Sequence, residues 1–145
     1  MDFLTSNSQL LLEKSMGYLW TKQAAILDNI ANAETHNYKA KVVTFEDKLR
    51  TQLERRLASA DAASLRGGRG TPQTAGRVSV SAIRQVIQDA VPYVFEAQEQ
   101  TRMDDNGVNI TDQMTELIRN AYQQQYVYQA INKHYSILRM AANGQ

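Results

Sequence analysis

The sequence contains no cysteine, which removes disulfides, thiolate nucleophiles and cysteine-based zinc sites from consideration. Two prolines and seven glycines in 145 residues are too few for a collagen-like, low-complexity or disordered chain. Charge of one sign is missing as well. Lys and Arg number 16 against 15 Asp and Glu, a net charge of +1, so nothing electrostatic draws the chain to nucleic acid or an anionic membrane. No apolar run approaches the ~20 residues needed to cross a bilayer; Leu10-Leu11-Leu12 is cut off by Glu13 and Lys14. Met1 to Asn7 lacks the basic start and apolar run of a secretory signal, and taken alone this reads as a cytoplasmic protein. The length is one domain's worth.

What is present is helical periodicity at both ends. From Ser8 to Ala33, apolar residues recur at steps of four and three: Leu12, Met16, Leu19, Ile26, Ile30 and Ala33, interrupted only by Gln23. Ser6 and Gln9 have the spacing of a capping box at its start. From Asn109 to about Ala142 a second seam runs through Ile110, Met114, Leu117, Ala121, Tyr128, Ile131, Tyr135 and Leu138, interrupted only by Gln124. Asn109 is placed to cap this helix, Asp112 and Glu116 lie in its opening turns, and Gly144 lies just past its end. Two heptad seams of this kind predict an antiparallel, coiled-coil-like pair. With Ala33 beside Met114, the layers would be Ile30 with Leu117 and Ile26 with Ala121, and Gln23 would meet Gln124. Tyr122 and Tyr126 widen the sticky face of the second helix.

Between them, residues 41–102 read as a small mixed α/β insert. Val42 to Phe45 is a short extended piece, and Glu46 to Ala63 a weakly amphipathic helix carrying Leu49, Leu53 and Leu57. Residues 64–76 form a flexible loop by composition. Arg77 to Ile83 alternates like a half-buried strand, and Val86 to Glu96 supplies a second, with Pro92 confining it to an edge or a strand start. Met103 to Val108 turns the chain back. The expected organisation is therefore 1–40 as helix and turn, 41–102 as insert, and 103–145 as turn and C-terminal helix: a mainly α fold.

The first helix ends in a polar corner. Asn32 and Asn37 can take the left-handed conformation that stops a helix, Thr35 can bond its own backbone, and Tyr38 follows as an amphipathic anchor. Lys39 can lay its stem on apolar surface. The run Leu27, Asn29, Ile30, Ala31, Asn32, Thr35, Asn37, Tyr38, Lys39 closely resembles the signature of the bacterial flagellar basal-body rod, hook and related axial proteins. One departure is His36, where rod members usually carry Pro. The C-terminal heptad helix, closing on Ser136 to Ala141, resembles the end of the proximal rod members. The resemblance implies a structural, non-enzymatic subunit of the periplasm-spanning rod of the basal body, polymerising helically to transmit torque. It also implies export through the flagellar type III apparatus without a cleaved signal. Implied partners are the chain itself, other rod subunits, the inner-membrane ring or its adaptor, and the export apparatus. Neither nucleic acid, a small-molecule substrate, a cofactor nor a metal is implied.

Chemistry finds little support in the residues. His36 stands near Glu34 but has no candidate nucleophile, orienting acid or second histidine at ligand spacing, and His134 fits the end of the second helix. Asp104, Asn106 and Gly107 hint at a calcium loop, but aligning Gly107 with its sixth position puts Arg102 first and Gln113 twelfth, where carboxylates are required. Arg66-Gly67-Gly68-Arg69-Gly70 lacks the Lys-Ser/Thr of a phosphate loop and reads as solvated loop. The tyrosines Tyr122, Tyr126, Tyr128 and Tyr135 fit contact surface better than a cofactor site. Two other readings stay open beside the rod subunit. One is a cytoplasmic helical adaptor or coiled-coil dimer. The other is a small enzyme, which would need clustered titratable groups between Val42 and Glu96.

Overall fold

The computed structural model describes residues 6–66, 80–97 and 108–144. In chain order these form α1 (Asn7–Ala31), β1 (Lys41–Thr44), α2 (Glu46–Arg66), α3 (Val80–Asp89), β2 (Tyr93–Glu96) and α4 (Ile110–Asn143). The fold is mainly helical, with the long N- and C-terminal helices packed against each other and a two-stranded sheet between them.

α1 starts where a side chain can satisfy its free N–H groups. Ser6 is the N-cap, and its Oγ accepts from the Gln9 backbone N–H at 3.2 Å. Only this half of the capping box forms, because the Gln9 amide reaches forward to Glu13 instead. α4 starts on Asn109, whose side chain accepts from Thr111 N, and stops on Gly144 at φ 69°. That left-handed conformation costs least without a Cβ.

The insert shares its core with α1. Phe45, Leu49, Val86, Ile87 and Ala90 form one buried cluster, closed by Leu10 and Tyr18 of α1 and by Leu53 and Ile83. Tyr18 stacks on Phe45 with ring centroids 5.4 Å apart. Lys14 donates to the carbonyls of Gln88 and Ala90 at 2.6 and 3.2 Å. α3 has no basic residue in its own last turn, so α1 supplies the cation that the end of a helix favours. Asn7 reaches the Val80 carbonyl, so α1 and α3 run side by side in the same direction. α2 contributes Leu49 and Leu53 to this core, whereas Leu57 is 50 % exposed.

β1 and β2 pair antiparallel in the register Lys41↔Glu96, Val42↔Phe95, Val43↔Val94 and Thr44↔Tyr93. The expected extended piece at Val42 is therefore a strand. The strand expected over Arg77 to Ile83 is not: residues 80–83 open α3, and 77–79 lie outside the described residues. The second strand is also shorter than expected, since Val86 to Asp89 continue α3 and only Tyr93 to Glu96, just after Pro92, extend. The physical reason is periodicity. Alternation holds only through Val78, Val80 and Ala82, whereas Ile83, Val86, Ile87 and Ala90 follow steps of three, one and three, which line one helix face. That face is the one buried in the cluster. α2 runs to Arg66, so the expected loop at 64–76 begins inside a helix; its remainder lies outside the described residues, as do residues 103–107 of the expected return turn, the first half of the calcium-like stretch and residues 67–70 of the RGG-like one.

Candidate assembly interface

The polar corner is held by Asn29. It is 1 % exposed, and its side chain uses its full hydrogen-bonding capacity. Oδ1 accepts from Lys41 N at 2.7 Å and from the Tyr38 hydroxyl at 3.2 Å, while Nδ2 donates to the Lys41 carbonyl at 2.9 Å and to Gln113 Oε1 at 3.0 Å. One amide thus ties α1, the first residue of β1 and the opening of α4 together. Asn32 closes the helix: its backbone and side-chain N–H groups both bond the Asp28 carbonyl. Its φ of −106° corrects the left-handed conformation allowed for it from sequence. Asn37 does take that conformation, at φ 60°. Thr35 bonds the Asn32 carbonyl through its backbone N–H and Asn32 Oδ1 through its hydroxyl. Tyr38 packs against the cluster of Ala33, Ala40 and Val108, and burial raises its hydroxyl pKa. Asp28 pairs with Lys41 at 2.7 Å and holds that lysine's pKa up.

Of the signature residues, Asn29, Asn32, Thr35 and Tyr38 are thus brought together by hydrogen bonds. Ile30 is half-buried, and Leu27, Ala31, Asn37 and Lys39 are exposed. Asn29 is the member whose importance the composition of the corner hides. The available signal was its position: three residues after Ile26 and four before Ala33, it lies on the buried face, where an amide needs partners.

The seam between α1 and α4 is antiparallel and more polar than the heptads suggest. Gln124 donates to Gln23 Oε1 at 2.8 Å, so the two glutamines meet. Gln124 and the fully buried Asn120 both donate to the Leu19 carbonyl, and Lys22 pairs with Glu116 at 2.9 Å. The bond from Lys22 is the main cause that lowers the Glu116 pKa. Glu116 also accepts from Arg119. Asn120 Oδ1 has no donor among the described residues.

Along α1 the expected seam residues face inward: Leu19 and Ile26 are buried, and Leu12, Met16, Gln23 and Ile30 are half-buried. On α4, Ile110, Leu117, Gln124, Ile131 and Leu138 also lose exposure, but the other half of the seam is corrected by one residue. Gln113, Asn120, Val127 and His134 turn inward, while Met114, Ala121, Tyr128 and Tyr135 are exposed. The layer of Ala33 beside Met114 does not form either, since Ala33 packs with Val108 and Ile110. This amounts to a rotation of α4 by about 50° from the apolar seam. Its cause is the set of polar anchors: Gln113, Glu116, Asn120 and Gln124 reach fixed partners on α1, and a buried amide without one is costly.

The rotation leaves apolar surface facing out. On α4, Met114, Ile118, Tyr122, Tyr126, Tyr128, Tyr135, Ile137 and Met140 are each about half exposed or more, and on α1 so are Trp20 and Leu27. A cleft of about 460 Å³ lies between α1, the start of α2 and α4, lined by Ser15, Tyr18, Leu19, Glu46, Arg119, Tyr122, Gln123, Tyr126 and Val127. Burial raises the Tyr18 pKa there. His36 is exposed in the corner. Among the described residues no three His, Asp or Glu side chains gather to hold a metal ion, and no helix is long and apolar enough to cross a membrane. Comparison with protein-family models, curated proteins and solved structures finds no match to this chain.

Proposed function

We propose that this chain is a structural subunit of the bacterial flagellar basal-body rod, most like the proximal rod protein FlgB. It polymerises helically with its own copies and with related rod subunits and carries torque across the cell envelope. Its remaining partners are the inner-membrane ring or its adaptor at the proximal end and the export apparatus that delivers it without a cleaved signal. The observation that carries the reading is the outward apolar surface on both terminal helices, from Trp20 and Leu27 on one to Met114 through Met140 on the other. Surface of this kind marks association, and filaments need two different patches on each copy. The resemblance of residues 27–39 to the axial signature supplies the word flagellar, and the Asn29-centred corner gives Asn29, Asn32, Thr35 and Tyr38 a mechanical use, bracing the turn by which α1 meets the insert.

Basal bodies purified from cells carrying a tagged chain test the proposal. The tag is expected by electron microscopy as a layer next to the inner-membrane ring, and deletion of the chain is expected to abolish motility. Basal bodies without the tag, in motile cells, would sink the reading. A soluble dimer found only in the cytoplasm would favour the helical adaptor instead.

A further inference from the structure

α4 rests on α1 without a locked core. It fully buries only one of its residues, and that one is Asn120. No apolar side chain of α4 is enclosed, so none acts as the interdigitated knob that fixes the rotation of one helix on another. Bonds do so instead: Gln113 to Asn29, Glu116 to Lys22, and Asn120 and Gln124 to the Leu19 carbonyl. The set is imperfect. Two donors share one carbonyl, and the buried Asn120 Oδ1 has no donor among the described residues.

The same helix carries a second way to sit on α1. Leu117, Gln124, Ile131 and Leu138 lie at seven-residue steps and turn inward. Flanking that column on one side run Gln113, Asn120, Val127 and His134, which also turn inward; on the other run Met114, Ala121, Tyr128 and Tyr135, which are exposed. Turning α4 about its axis by about 50° exchanges the two flanks and moves each Cα by only about 2 Å. The central column, with Gln124 against Gln23, serves both arrangements. On α1, Leu12, Met16 and Ile30 are only half-buried, which leaves apolar surface for the incoming flank. A tyrosine there lays its ring on the partner helix and keeps its hydroxyl in water.

We propose that α4 has two seats on α1, a polar seat and an apolar heptad seat reached by that rotation, and that their exchange sets how much apolar surface the chain presents. In the polar seat Met114, Tyr128 and Tyr135 are about half exposed. In the heptad seat α1 covers them. The covering element is α1 because its inward stripe has the same heptad spacing, and its one polar break is already paired with that of α4. Packed interfaces switch between discrete arrangements of this kind rather than deforming continuously. The existence of two seats does not depend on the rod-subunit reading; the use made of the covered face, which that reading gives to assembly, rests on it.

The chain has no cysteine, so an introduced thiol is the only one in it. Ala121→Cys reports the heptad flank and Val127→Cys the polar flank. In the otherwise wild-type chain the first is expected to react fast with a thiol reagent and the second slowly. Asn120→Lys bars the polar seat, because an unpaired lysine cannot be buried there. In the heptad seat its stem lies along the rim with the ammonium in water. In that background the order is expected to reverse, the Ala121→Cys thiol slowing and the Val127→Cys thiol quickening by about tenfold each, with helical circular dichroism unchanged. Tyr128→Lys bars the heptad seat and is expected to leave both rates as they were. Asn120→Lys with Tyr128→Lys bars both seats, and both thiols should then react fast. If the order fails to reverse in Asn120→Lys alone, the inference is overturned, whether both thiols react fast because α4 has come off or neither rate changes. The basal-body experiment is blind to the rotation of α4, so the two outcomes are read separately.

Discussion

At the scale of single residues, two buried asparagines in the same helix pair do opposite work. Asn29 satisfies the N–H and C=O of Lys41, a tyrosine hydroxyl and a glutamine. Removing it strands several groups at once, each at a cost of ~1–3 kcal/mol. Asn29→Ala is therefore expected to destabilise the chain by about 3 kcal/mol in urea unfolding. Among the described residues the Asn120 side chain makes one bond, to a carbonyl that Gln124 also bonds, and its oxygen has no partner. Replacing it removes a desolvated atom along with that bond, so Asn120→Leu is expected to stay within about 1 kcal/mol of wild type or to stabilise. Equal losses for the two would contradict this assignment. The Lys22–Glu116 pair adds a pH dependence. The folded-state pKa of Glu116 lies below its ordinary 4.5, chiefly because Lys22 donates to it. The pair's contribution is thus complete above that ordinary value and is lost as pH falls through the lowered one. With both side chains partly exposed, it amounts to less than about 1 kcal/mol. Wild type should exceed Glu116→Gln in stability at neutral pH, and the gap should close in acid; a gap that widens there would rule out the pair as its source.

At the scale of elements, the α1–α4 seam shows what a pattern of residues can and cannot reveal. The glutamine layer was legible because each heptad had a single polar break, and antiparallel pairing brings the breaks together. The rotation of α4 was not legible. Tyr128 and Tyr135 fit a heptad as well as Val127 and His134 do, and only the fixed partners on α1 choose between the columns. α3 is masked in the sequence for a related reason, since a short alternating run from Val78 to Ala82 precedes the helical face at Ile83, Val86, Ile87 and Ala90. The corner was legible as a turn, from its amides and threonine, but its centre at Asn29 depended on contacts with β1 and α4 that no local pattern contains. The glutamine layer also carries a prediction. Gln23→Leu leaves Gln124 short of one partner, whereas Gln23→Leu with Gln124→Leu leaves an apolar layer. The single variant is expected to be less stable than the double, with a coupling of about 1 kcal/mol in a double-mutant cycle. Additive losses would mean the bond between them contributes nothing.

At the scale of the whole molecule, cohesion comes from two unlike materials. The insert and its seat on α1 are held by Phe45, Leu49, Val86, Ile87 and Ala90, while along the α1–α4 seam amides and an ion pair share the contact with the buried Leu19 and Ile26. These respond differently to cold. Apolar burial carries a large heat-capacity change and loses strength on cooling; exposing polar groups changes the heat capacity in the opposite sense. Between about 25 °C and the freezing point, amide-exchange protection is expected to fall further in α3 than around Gln124, and equal falls would refute the distinction. In the cold, the middle of the chain slackens first, and its two long ends keep their grip on each other.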